Sequence, residues 1–217
     1  MPLVEHRRRV THPAPSPVPP PEPSEEPLDA EAEIQRLCLE LNDAGYTAEI
    51  SWGRVVVSPW TNIPGADMVD SLTDMLVPLK LANGWRFHQN VAVHIPPLLD
   101  HRIPDLIVAP RHSERLDDMR LHGHGTLLVV EVCSPGTRTV DWHEKPLDYA
   151  RAGVPLYLIV DPVTDPPTMT LMSGPVPDLA VDDERQPYRE VVMVEAGQPL
   201  ELPEPFGVKL DTSAVFG

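Results

Sequence analysis

Residues 127–162, LLVVEVCSPGTRTVDWHEKPLDYARAGVPLYLIVDP, constrain the fold more than any other stretch of the chain. Two short apolar runs, at 127–132 and 155–160, read as buried strands. The segment between them predicts a helix over 140–152 that closes at Gly153. Glu131 sits inside the first apolar run, where an ionised carboxylate needs a compensating partner. Strand alternation puts Glu131 and Cys133 on one face and Val132 on the other.

The rest of the chain supplies the surroundings of this pair of strands. Residues 1–28 are dense in proline and acidic residues with little to bury, which predicts a disordered or polyproline-like tail. From residue 29 the pattern changes. Ile34, Leu37, Cys38 and Leu41 fall at helical spacing until Asn42, Asp43 and Gly45 stop the helix, and YTAEISWGRVVVSP reads as a hairpin turning at Trp52-Gly53. Met68, Leu72, Met75, Leu76 and Leu79 mark a second amphipathic helix that Pro78 is expected to shorten or kink. GWRFHQNVAVHIP alternates like a strand, IPDLIVAP is a short apolar strand, and RHSERLDDMRLHGHG is a polar connection. TMTLM and YREVVMVEAG complete the pattern as edge strands. Hairpins, two or three helices and a central apolar pair of strands predict an α/β fold, a mixed β-sheet flanked by helices, as one domain over 29–217.

The 33 acidic residues against 17 basic ones give a net charge of -16, which opposes non-specific attraction to a polyanion or an anionic membrane. Two cysteines, Cys38 and Cys133, offer no disulfide framework, and a cytoplasmic location is expected. No apolar run approaches the length of a membrane span.

Asp105 follows Pro104 at the start of a second buried strand. Two carboxylates on neighbouring strands repel unless a cation or a proton lies between them, and a divalent metal is the economical solution. Magnesium takes hard oxygen ligands and keeps several waters, so Asp105, Glu131 and a strand carbonyl would suffice, with manganese as a substitute. Lys145 could fold back from the next helix to orient water and stabilise charge developing on a phosphate.

Pro104-Asp105 followed by Glu131-Val132-Cys133 on a strand resembles the two halves of the PD-(D/E)XK nuclease motif. IPDLIVAP, the stretch 127–162 and the closing PFGVKLDTSAVFG resemble more narrowly the Uma-type putative restriction endonuclease family. The resemblance implies a restriction-endonuclease-like fold and a magnesium-dependent endonuclease acting on nucleic acid, with DNA as the expected substrate. Whether a homodimer aligns two sites for double-strand cutting is left open by the sequence. It implies that Asp105 and Glu131 hold the metal and that Glu49 helps them. Lys145 stands in for the lysine whose usual place is taken by Cys133. Many relatives open the second helix with a histidine, where this chain has Gly65-Ala66-Asp67; activity could be weakened by that change.

Blander readings exist for each residue. Glu131 could be a structural ion pair with Lys145 or Arg138, Asp105 a turn cap, and Glu49 an ordinary hairpin glutamate. His122-x-His124 lacks the second paired motif of a zinc site, and a cysteine on a buried strand is more often inert than nucleophilic. A nuclease-like fold turned binding or regulatory module is the alternative function, favoured by the charge. A basic surface near the site, from Arg111, Arg115, Arg120, Arg138 and Lys145, would favour the nuclease.

Overall fold

The computed structural model describes residues 30–58, 61–178 and 186–217, so the expectation of a disordered tail over 1–28 lies outside the described residues. Helix α1 (Ala30–Asp43) packs Ile34, Cys38 and Leu41 against Ala48 and Ile50. Leu37 was expected on that face and is exposed instead; one residue from Cys38 is roughly 100° around a helix. The side chain of Asn42 ends α1 by accepting the Ala48 N–H at 3.0 Å while donating to the carbonyls of Cys38 and Ala48.

Strands β1 (Thr47–Ser51) and β2 (Arg54–Ser58) form the expected hairpin. Trp52 and Gly53 both have positive φ, 54° and 65°, the turn whose twist matches that of its strands. Helix α2 (Ile63–Asn83) begins at Asn62, whose side chain accepts the Gly65 N–H at 2.8 Å, and ends at left-handed Gly84. Pro78 does not shorten it.

GWRFHQNVAVHIP yields two strands rather than one, β3 (Arg86–His88) and β4 (Ala92–Ile95), which belong to different sheets. The chain changes sheet around Asn90, whose φ is 55°. After β5 (Asp100–Arg102) and β6 (Leu106–Ala109), the polar connection contains a further strand, β7 (Arg120–His122), and a short 3-10 turn. Strand β8 (Leu128–Val132) follows. The single helix expected over 140–152 is divided into α3 (Arg138–His143) and α4 (Lys145–Arg151). Pro146 explains the break, because it has no N–H to give to the Trp142 carbonyl one turn back.

Strands β9 (Leu156–Asp161), β10 (Thr168–Pro175) and β11 (Tyr188–Glu195) run next to one another, followed by the hairpin β12 (Leu200–Leu202) and β13 (Val208–Leu210) and helix α5 (Thr212–Phe216). The large sheet has the order β11-β10-β9-β8-β6-β3, mixed because β8 and β9 are parallel. TMTLM lies in β10, inside this sheet, while β11 is its edge. The second sheet has the order β2-β1-β5-β4-β7.

Side-chain alternation divides the large sheet into two packed faces. Leu106, Val108, Leu128, Val130, Leu158 and Val160 meet Leu72 and Leu76 of α2. Ile107, Val129, Tyr157 and Ile159 meet Tyr149 of α4 and Val93, Ile95 and Leu121 of the second sheet. Glu131 therefore points into the layer between the large sheet and α3–α4. Among the described residues no helix is long and apolar enough to cross a membrane.

Gly123 is the closest joint between the second sheet and α4. A Cβ there would lie 2.5 Å from the Ala152 carbonyl oxygen, against backbone that cannot swing aside. Gly123→Ala is expected to destabilise the domain by about 1–3 kcal/mol, as overpacking does. Chemical denaturation of parent and variant measures it, and an unchanged midpoint would contradict the packing described.

Candidate active site

Strands β6 and β8 are antiparallel, with Leu106 opposite Val130. One step further along that register sets Asp105 opposite Glu131, on the face where Ile107 and Val129 also point. Like charges directly opposite on neighbouring strands are unfavourable, and nothing about the fold itself requires them. Beyond the last paired residues of the ladder the Asp105 carboxylate accepts the Val132 N–H at 2.7 Å.

Glu131 is buried and each of its oxygens has a donor. Tyr149 Oη donates to Oε1 at 2.5 Å and Lys145 Nζ lies 2.8 Å from Oε2. Lys145 reaches a second carboxylate, Asp141 Oδ1, also at 2.8 Å. Asp141, Lys145 and Tyr149 are spaced four apart, so α3 and α4 deliver all three side chains to the same place. Arg138, the other candidate partner of Glu131, donates to Asp161 at 2.7 Å instead.

Burial, with Asp105, Asp141 and Glu49 adding to it, pushes Glu131 up to about 8 against the pull of Lys145. Burial also raises Asp105, opposed by the Val132 N–H and Lys145. For Lys145 burial acts against the ammonium and is outweighed by Glu131, Glu49 and Asp141, which hold its proton more tightly than usual. Burial, reinforced by Asp141, drives the Cys133 thiol upward, so it is a poor source of thiolate.

Glu49 on β1 faces the same site, but its oxygens are both engaged: Oε1 accepts the Ile103 N–H at 2.6 Å and Oε2 meets Arg102 at 3.2 Å. Arg102 is 1% exposed and also bonds Ser51 and Asp148, which fastens the second sheet to α4. Glu49, Asp105, Glu131, Asp141 and Lys145 all line one open cleft of about 860 Å³, whose lip is the start of α2. Asp67 and Asp70 are at that lip, and Lys145 is the only Lys or Arg among the described residues lining the cleft. The basic surface that would have favoured the nuclease is not in the cleft lining: Arg120 pairs with Asp117, Arg138 with Asp161, and none of Arg111, Arg115, Arg120 and Arg138 lines the cleft. A Cβ at Gly65 would press the side chains of Asn62 and Thr61 at 3.2 Å, so a side chain there requires both to give way slightly.

A family model described as Uma2, putative restriction endonuclease, matches residues 32–213. The chain belongs to this family. Among solved structures, the Uma2 chain is similar to a putative nuclease belonging to DUF820 from Anabaena variabilis ATCC 29413, with a TM-score of 0.54 and 14% identity over 78% of this chain and 89% of that one. At that identity the likeness shows the fold: restriction-endonuclease-like, with mixed sheets flanked by helices. No curated protein matches.

In this Uma2 chain the structure brings Asp105, Glu131 and Lys145 together and sets Glu49 beside them. Sequence reading missed Arg102, Asp141 and Tyr149. The last two carried a signal, because spacing by four from Lys145 marks one helical face. Arg102 carried only its position two residues before Pro104, in a polar run after Asp100 and His101.

The raised Glu131 sets a pH dependence. Between about 4.5, its ordinary value, and about 8, the folded chain keeps a proton that the unfolded chain has lost. Metal-free stability therefore falls as pH rises through that window, by up to about 1.4 kcal/mol per pH unit. Glu131→Gln leaves Lys145 its Asp141 partner and is expected to flatten this slope in thermal melts with a chelator present. Parallel pH profiles for parent and variant would contradict the crowding of carboxylates described.

Proposed function

We propose that this Uma2 chain is a magnesium-dependent endonuclease that hydrolyses phosphodiester bonds, with DNA as its substrate. The observation that carries the reading is Asp105 facing Glu131 across adjacent strands, at an open cleft, with the Lys145 ammonium 2.8 Å from Glu131.

The donor set fits a hard divalent cation. Four carboxylates surround one ammonium, and burial, with neighbouring carboxylates adding to it, raises the proton affinities of Asp105 and Glu131. Asp105 gives one oxygen to Val132 and keeps the other, and Glu131 accepts one donor at each oxygen and keeps further lone pairs. Among the described residues no three His, Cys, Asp or Glu side chains form a ready-made cage. That arrangement suits magnesium, which binds one or two carboxylates and retains waters. Asp105 and Glu131 would hold it, with Glu49 as third candidate through its remaining lone pairs and manganese as a substitute. Bound there, the ion would acidify a water and polarise a phosphate oxygen.

The chain's own groups do the rest. Lys145, firmly protonated between Glu131 and Asp141, presents its ammonium, the single Lys or Arg cation among the described residues of the cleft lining, to an incoming phosphate and stabilises charge developing on it. Tyr149 fixes the Glu131 carboxylate by donating to Oε1, and Arg102 holds Glu49 and α4 in place. Cys133 occupies the usual lysine position passively.

A second reading, a nuclease-like binding or regulatory module, is favoured by one observation: Lys145 stands alone against Glu49, Asp67, Asp70, Asp105, Glu131 and Asp141 in the cleft lining. Magnesium and manganese titrations on supercoiled, linear and single-stranded DNA and on RNA separate the two. Cleavage that requires either ion supports the nuclease, and inactivity with every substrate and ion supports the module. Lys145→Met is expected to fold and bind magnesium while cleavage falls about 10²–10³-fold, the scale of losing one preorganised donor. Without metal it is expected to melt earlier than the parent, because Glu131 loses its ammonium. A variant that cleaves as fast as the parent would remove Lys145 from the catalytic assignment.

A further inference from the structure

We propose that β11 is the surface through which two copies of this chain pair, edge to edge and antiparallel, about a dyad at Val192. Among the described residues β11 is the free edge of the six-stranded sheet, and it spans eight residues with no proline. Val191, Val192 and Met193 are 48%, 50% and 55% exposed, so both faces of the strand are bare at its centre. A long apolar edge is a template for another strand, and chains that leave one open blunt it with proline, lysine or a bulge. Here the central residues 191–194 carry no such device.

The register identifies a second copy as the occupant. The Ala196 N–H donates to the Pro167 carbonyl at 2.8 Å, and β10 and β11 pair without interruption from there to Leu171 opposite Val192. Backbone groups of the even residues therefore point toward β10, and those of Val191 and Met193 point to the free edge. A self-paired β11 must then match odd residues with odd ones. Centring the dyad on Val192 sets Val191 opposite Met193 of the second copy and Arg189 opposite Glu195 of the second copy, twice by symmetry. Moving the dyad by one residue either way loses both charge pairs. Neither Arg189 nor Glu195 is in an ion pair among the described residues. The Glu195 carbonyl already meets the Thr212 hydroxyl at 3.5 Å, so the new ladder is confined to the centre of the strand and the ion pairs flank it. Residues 13–27 of the tail, rich in proline, are unsuited to donate along this edge.

The resulting sheet would be continuous across the dyad with twelve strands. No residue of β11 lines the cleft, so pairing leaves both clefts open and the proposal does not depend on the chemistry assigned there.

Sedimentation of the full chain tests it, with circular dichroism to verify folding of each variant. The parent is expected at twice the chain mass at micromolar concentrations. Val192→Lys, which sets two ammonium groups face to face, is expected to give the monomer. Arg189→Glu is expected to weaken pairing roughly tenfold or more, and Arg189→Glu with Glu195→Arg to restore it. A monomeric parent overturns the proposal. So does a dimer indifferent to Val192→Lys, or a charge swap that fails to rescue Arg189→Glu.

Discussion

Asp105 and Glu131 are held face to face at the ends of adjacent strands, and much of the surrounding structure exists to tolerate that contact. Repulsion between two carboxylates on one sheet face is a standing cost. Lys145 offsets part of it, Tyr149 another part, and a backbone N–H from Val132 a third. Burial first, with neighbouring carboxylates adding to it, still leaves both acids holding a proton more tightly than usual. A fold selected for stability alone would place leucine or valine at these positions, as it does at Leu106 and Val130 immediately beside them.

The ammonium reaches the site from the helical layer. Asp141 on α3 and Lys145 on α4 approach Glu131 from there instead of along the strand. Cys133 can therefore occupy the strand position without loss of positive charge in the site. Arg102 performs the matching task from the second sheet: its guanidinium ties Glu49, Ser51 and Asp148 together, so β1 and α4 cannot drift apart without uncovering a buried cation. The start of α2 contributes to the lining of the same cleft.

The buried strands, the first hairpin and the long α2 were legible because each rests on local periodicity or a turn that only certain residues accept. Glu131 announced itself as a charge in an apolar run, and Asp105 followed from the same logic. Elements whose identity depends on distant partners were not legible. β4 and β3 share an alternating stretch, yet pair with different sheets; β7 hides in a polar segment because its neighbour β4 supplies the apolar surface. TMTLM gave no sign of being interior, since β11 covers its edge from further along the chain. The partners of the basic residues were not legible either. Arg120 and Arg138 are spent on Asp117 and Asp161, a choice of partner that composition cannot reveal.

The central claim is that facing carboxylates make a cation site at the end of β6 and β8. Crystals of the protein soaked in manganese, with anomalous scattering recorded at the manganese edge, test it most directly. A single peak bonded to both Asp105 and Glu131, about 2.0–2.2 Å from their oxygens as for a hard six-coordinate ion, is the predicted result. No anomalous peak in the cleft, or one bound away from this pair while both acids keep their present partners, would contradict it.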